Sequence, residues 1–334
     1  MSGTGHPSGA GEGSEGRPVS AGGDGRGKPR IHLSLDSAID RIESHRSSKE
    51  GLRAVGGLKG QMVRGWTEKL LTRTTSGAIY SIVILLCLFG GVVPTTVCIT
   101  AMSWLCCSEF FRISRMGGRM PNEILGLTGA IAYPVSMYLW GFGTIHVVTF
   151  ALVLSLAVWY VVTPRANLAD VAITVFGPIY TSLMFSCIVL IRKVDPGFDG
   201  ALLTLGVMGS MWANDAMAYF IGSRFGAHKL APKISPHKSW EGFYGGLAGS
   251  ILIWSIVGML GLEGIGMGLA LVCGVVVGIS AVIGDLFESR IKRGVGVKDS
   301  GNLMPGHGGL LDRSDSMLFG CTVAYFLLHI GGIL

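Results

Sequence analysis

Hydrophobic and polar residues in this chain are gathered into long blocks. Residues 74–108 contain no Asp, Glu, Lys or Arg, and neither do residues 124–164. A helix needs about 20 mostly apolar residues to cross a bilayer. Each run therefore predicts two crossings, divided at Gly90-Gly91 and at Gly141-Phe142-Gly143. Charge, Pro and Gly separate the remainder in the same way. The predicted spans are 75–90, 92–111, 123–140, 146–163, 170–191, 200–222, 242–262, 264–284 and 317–334. The pattern predicts an all-α polytopic membrane protein of about nine transmembrane helices.

Composition supports this and removes the alternatives. The 334 residues are 49% hydrophobic and 14% charged, with a mean hydropathy of +0.53. A soluble domain carries roughly 25% charged residues, so soluble enzymes, secreted disulfide scaffolds and disordered proteins are excluded. The seven cysteines lie in apolar stretches without a CxxC pair and read as small hydrophobes. The net charge of +6 fits loops beside anionic lipid, and nucleic acid is not an expected partner.

The first 30 residues are rich in glycine and lack an apolar run, which predicts a disordered tail and no signal peptide. Residues 31–73 are mixed and basic. Leu52, Val55, Leu58, Met62, Trp66 and Leu70 recur at three- and four-residue steps, between Arg53, Lys59, Arg64 and Lys69. That spacing suits an amphipathic juxtamembrane helix lying on the bilayer, and equally a soluble helix packed on the loops. Residues 74–334 form the transmembrane domain. With the N-terminus in the cytoplasm and nine alternating spans, only Arg192 and Lys193 of the 27 Lys and Arg fall outside. The expectation is an integral protein of the cell or inner membrane, with a cytoplasmic N-terminus and an external C-terminus.

Two cytoplasmic loops differ from the rest. Residues 223–241 read SRFGAHKLAPKISPHKSWE, and residues 285–316 read DLFESRIKRGVGVKDSGNLMPGHGGLLDRSDS. Asp285, Asp299, Asp312 and Asp315 are hard oxygen donors suited to Mg²⁺ with substrate phosphates. Lys292, Arg293, Lys298 and Arg313 supply charge-assisted donors to phosphate oxygens. The glycines, Gly308 and Gly309 among them, allow backbone N–H groups to approach an anion. This composition predicts a magnesium–polyphosphate site at the membrane face and does not suggest zinc. Asp215 lies in an otherwise apolar span, where an ionisable residue is a functional candidate.

The order of residues adds more. The run Ser289-x-Ile291-Lys292-Arg293-x4-Lys298-Asp299-x-Gly301-x3-Pro305-x-His307-Gly308-Gly309-x2-Asp312-Arg313-x-Asp315 resembles the signature of the phosphatidate cytidylyltransferases, the CDP-diacylglycerol synthases. Gly284-Asp285-Leu286-x-Glu288-Ser289, Asp215-x2-Ala218-Tyr219-x2-Gly222 and Pro232-x-Ile234-Ser235-Pro236-x-Lys238-Ser239-Trp240-Glu241-Gly242 resemble it too. The likeness spans about residues 205–316. Met304, Ser314 and the pair Ala216-Met217 depart from it, none at a charged or glycine position.

The resemblance implies the reaction CTP + phosphatidate → CDP-diacylglycerol + diphosphate, dependent on Mg²⁺, with a second monovalent cation such as K⁺ and a homodimeric enzyme. It implies Asp285, Asp312 and Asp315 as metal ligands, with Asp299 close by. Lys292, Arg293, Lys298 and Arg313 would hold phosphates, and Asp215, Ser235 and Lys238 would complete the pocket. His307 would donate to a phosphate or cap the Gly-rich turn. A CTP-dependent kinase of a polyprenol-type lipid is the alternative enzyme. A transporter is disfavoured because the charges gather in two loops on one face, away from the bilayer midplane.

Overall fold

The computed structural model describes residues 75–301, 303–304 and 308–334. The Gly-rich tail, the basic amphipathic segment and His307 lie outside the described residues.

The described chain is a bundle of helices. They are α1 (Thr75–Phe89), α2 (Val92–Met116), α3 (Glu123–Trp140), α4 (Ile145–Val162), α5 (Leu168–Arg192), α6 (Phe198–Phe225), α7 (Trp240–Leu260), α8 (Met267–Gly294) and α9 (Asp315–Ile330). Five segments, Val92–Met116, Phe142–Val162, Leu168–Arg192, Trp240–Leu260 and Met267–Gly294, are long and apolar enough to cross a membrane. The outer surface fits a bilayer as solvent. Helix α4 buries only Leu152 and Leu156, while Val161 is 81% exposed. In water such a surface would drive aggregation; against lipid it is neutral.

Local chemistry sets the helix ends. Asn122 caps α3 by accepting from Leu125 N–H, and Asn167 with Asp170 forms a capping box at α5. Pro178 within α5 is followed by a five-residue π turn, Ile179–Leu183, which accommodates the missing N–H. Arg192 and Lys193, the two cations that broke the charge pattern, serve carbonyl groups. Arg192 donates to Leu88 O (3.1 Å) and Asp195 O (2.6 Å), and Lys193 to Tyr138 O (2.6 Å). Cations at helix C-termini satisfy carbonyls that have no intrahelical partner.

Small residues bring α6 and α7 into backbone contact. A Cβ on Gly242 would stand 2.8 Å from Ala218 O, and one on Gly246 would stand 2.8 Å from Asn214 O. Without a hydrophobic drive between helices in lipid, such close van der Waals packing holds the pair together. It also fixes Asp215, on α6, beside the hairpin that leads into α7.

Two expectations need correction. Residues 285–294 continue α8 as helix, because Leu286, Glu288, Arg290 and Lys292 are good helix formers and no Pro or Gly interrupts residues 285–293. Residues 223–241 are not all loop. Strands β1 (Lys229–Ala231) and β2 (Ser235–Ser239) pair antiparallel, with Lys229 opposite Ser239.

Candidate active site

Helical continuation past Gly284 has a direct consequence. Asp285, Glu288, Ser289 and Lys292 are spaced three and four apart and therefore share one face of α8. Lys238 arrives on β2, aimed by the hairpin, and its Nζ lies 2.6 Å from Asp285 Oδ2. Ser289 Oγ donates to Asp285 Oδ1 at 3.3 Å. Asp215 accepts from Ser316 Oγ at 2.8 Å, which links α6 to the start of α9.

One turn further along α8, buried Lys292 joins two carboxylates. Its Nζ donates to Glu288 Oε2 at 2.7 Å and to Asp312 Oδ1. The other oxygen of Asp312 accepts from Ser300 N–H and Gly309 N–H, both at 2.8 Å, and from Ser300 Oγ at 3.0 Å. Partial burial pushes the Asp312 carboxyl up, but the Lys292 ammonium and the two backbone N–H donors outweigh it. The net shift is below the ordinary value.

At the end of the glycine-rich loop, the N–H groups of Gly309, Leu310 and Leu311 turn toward carboxylates of the protein itself. Gly309 serves Asp312, while Leu310 and Leu311 donate to Glu109 on α2 at 3.0 and 2.8 Å. Gly308 (φ +87°) adopts the left-handed backbone that reverses the chain, and a Cβ there would stand 2.7 Å from Asp312 Oδ2. Of the two glycines expected to cradle phosphate, Gly309 has its N–H engaged by the Asp312 carboxylate. Glu109 escaped the sequence reading because it closes an apolar span. Its signal was nevertheless present, as the first charged residue after the charge-free run 74–108.

The residues predicted from the two loops largely converge. Asp215, Lys238, Asp285, Asp312 and Asp315 line one cavity of about 1040 Å³. Lys292, Arg293, Lys298, Asp299 and Arg313 line it as well. Arg293 is partly engaged, donating from Nη1 to Val297 O at 2.8 Å. Ser235 is absent from the lining, because it pairs with Ala231 at the turn end of the hairpin; His237, Lys238 and Ser239 face the cavity in its place.

The predicted metal ligands do not form a preassembled triad. Among the described residues, no group of three or more His, Cys, Asp or Glu is arranged to hold an ion. Asp312, held by the Lys292 ammonium and the N–H groups of Ser300 and Gly309, acts as an internal anchor in this arrangement. Magnesium needs only one or two carboxylates when substrate phosphates and waters complete its shell. Asp285 and Asp315 both face the cavity and suit that chemistry.

Comparison with known proteins gives the same reading. The model of the cytidylyltransferase family matches residues 71–331. A phosphatidate cytidylyltransferase of Bacillus subtilis is 31% identical over 270 residues, 77% of this chain and 96% of that protein. Phosphatidate cytidylyltransferases of Pseudomonas aeruginosa and Thermotoga maritima are 44% and 40% identical over 131 and 157 residues. Those matches cover 39% and 46% of this chain, and 48% and 57% of the relatives. The match runs through every described helix and both halves of the cavity: the chain belongs to the cytidylyltransferase family.

Proposed function

We propose that this protein is a membrane-embedded phosphatidate cytidylyltransferase that makes CDP-diacylglycerol and diphosphate from CTP and phosphatidate. The observation that carries the reading is the cavity itself. Six basic side chains, Lys229, Lys238, Lys292, Arg293, Lys298 and Arg313, stand with acidic ones around a single space at the ends of apolar helices. Such a site suits a polyphosphate whose reaction partner is anchored in lipid.

The chemistry asks little of a general base. The phosphate monoester of phosphatidate is ionised at neutral pH and attacks the α-phosphorus of CTP. The new P–O bond forms as the bond to the β-phosphate oxygen breaks, and diphosphate leaves in line. Catalysis then rests on positioning and charge neutralisation. Lys298 and Arg313 hold phosphate oxygens. Lys238, now on Asp285, offers its ammonium to an entering phosphate. Asp285 and Asp315 would hold Mg²⁺, which would supply further neutralisation on the triphosphate.

The same reading places α1 to α9 across the membrane, with the cavity facing the cytoplasm and the C-terminus outside. The distribution of Lys and Arg supports this orientation. The homodimer and the second monovalent cation are supported by the family resemblance alone.

Isotope placement tests the reaction. With CTP labelled at the α-phosphate, label enters the organic phase only when phosphatidate is present. Transfer of γ-label to a polyprenol, with CDP released, would establish the lipid kinase in its place.

A further inference from the structure

We infer that Glu109, with Arg112, is a positioning residue for cytidylyl transfer: α2 holds the Gly-rich loop in its substrate-ready shape through this carboxylate. The inference deepens the proposed reaction and rests on it. Glu109 is 9% exposed in a helix bundle read as spanning the membrane, where an unpaired carboxylate is costly. Among the described residues, the hydrogen-bond partners it has there come from the loop. Leu310 N–H and Leu311 N–H donate to Oε1 and Oε2, and Ser300 Oγ lies 2.9 Å from Oε2. One turn later, Arg112 Nη2 donates to Ser300 O at 2.7 Å. The two ends of the segment that carries Pro305–Gly309 are thus tied to one helix from a distant part of the chain.

The glycines record the same relationship. A Cβ on Gly301 would collide with Glu109 Oε1, and one on Gly309 would collide with Glu109 Oε2 and Ser300 Oγ. Gly301 has no left-handed backbone to explain its identity; the space that a side chain would need is filled by the Glu109 carboxylate. Ser300 then passes the restraint inward, since its N–H and hydroxyl also meet Asp312, which holds Lys292. Lys298 and Asp299, immediately before Ser300, and Arg313, immediately after Asp312, take their places in the cavity from this frame.

The test compares variants with the wild-type protein in lipid nanodiscs, after wild-type turnover of phosphatidate has been measured. Absence of that turnover would overturn the proposed reaction; the Glu109 inference is judged separately, by variant-to-wild-type ratios and by amide exchange. Glu109→Gln is expected to lower kcat at least tenfold while KM for CTP moves less than threefold, and to speed hydrogen exchange at Leu310 and Leu311. Gly301→Ala is expected to lower kcat at least tenfold. Glu109→Asp, which draws the carboxylate back, is expected to raise the activity of Gly301→Ala at least threefold. That gain is not expected of a merely structural site, and it covers the case in which Glu109→Gln fails to accumulate. Wild-type kcat and exchange in Glu109→Gln, or no gain from Glu109→Asp in the Gly301→Ala background, would overturn the inference.

Discussion

Lys238 Nζ and Asp285 Oδ2 lie 2.6 Å apart, and this one pair joins the hairpin before α7 to the C-terminal part of α8. Both side chains retain about a quarter of their exposure (25% and 28%). A pair so accessible to solvent contributes little to stability, roughly 0–1 kcal/mol. Its position at the cavity wall makes it a place where a phosphate exchanges for a carboxylate. Asp285→Asn is therefore expected to fold and to melt close to wild type in detergent. Turnover should fall roughly 10²–10³-fold, the loss typical of removing one preorganised electrostatic group. A thermal melt and a steady-state assay on the same preparation check both halves.

Lys292 is expected to behave differently. It is buried between Glu288 and Asp312, and removing it leaves two carboxylates without their cation. Breaking a buried pair from one side costs about 3–5 kcal/mol. Lys292→Met should therefore lower the melting temperature sharply as well as abolish turnover. A denaturation series in mild detergent, run beside Asp285→Asn, separates the two behaviours.

The pH dependence follows from Asp312. Its carboxyl is held below the ordinary value because Lys292 and the N–H donors of Gly309 and Ser300 outweigh its desolvation. A depressed carboxylate contributes stability that is fully present above its unfolded value, about 3.9. That contribution is lost as pH falls through the lower, folded value. Asp312 should thus stay ionised through the neutral range. Melting temperatures of wild type and Asp312→Asn are expected to differ from pH 5 to 8 and to converge in stronger acid.

Helix packing supplies a prediction away from the chemistry. Gly246 abuts Asn214 and Ala218 so closely that a Cβ has no room. Gly246→Val must push α7 off α6, at a cost of about 1–3 kcal/mol for overpacking. The displacement would carry Asp215 away from Ser316. Size-exclusion profiles of the detergent-extracted variant should show reduced monodisperse protein, and the surviving fraction should have lower specific activity.

The helices were legible because lipid removes the ambiguity that water leaves. Blocks such as 74–108 have nowhere to go but the membrane, and α1 to α4 begin and end within a few residues of the spans expected from charge and glycine alone. The site was legible in its residues, since Asp285, Lys292, Lys298 and Arg313 do share one cavity. Its internal wiring was not. Periodicity in α8 continues smoothly from apolar to charged positions, so the boundary at Gly284 marks a change of composition and not the end of the helix. The hairpin around Lys238 arises from the short polar segment 229–239, whose pairing depends on contacts a linear pattern does not display. Glu109 is 191 residues from Ser300 in the chain, and nothing local announces a partner at that distance. The loop glycines suggested bound phosphate, yet the carboxylates of Glu109 and Asp312 stand against Gly301, Gly308 and Gly309.

The central claim is that this cavity transfers a cytidylyl group to a lipid phosphate. Phosphorus NMR on purified protein in nanodiscs, given CTP, phosphatidate and Mg²⁺, reads every phosphorus of the reaction at once. The account predicts that CTP and the phosphatidate monoester disappear together, while free diphosphate and a lipid-linked diphosphate appear in equal amounts. Release of CDP, or consumption of CTP with the phosphatidate resonance unchanged, would contradict it.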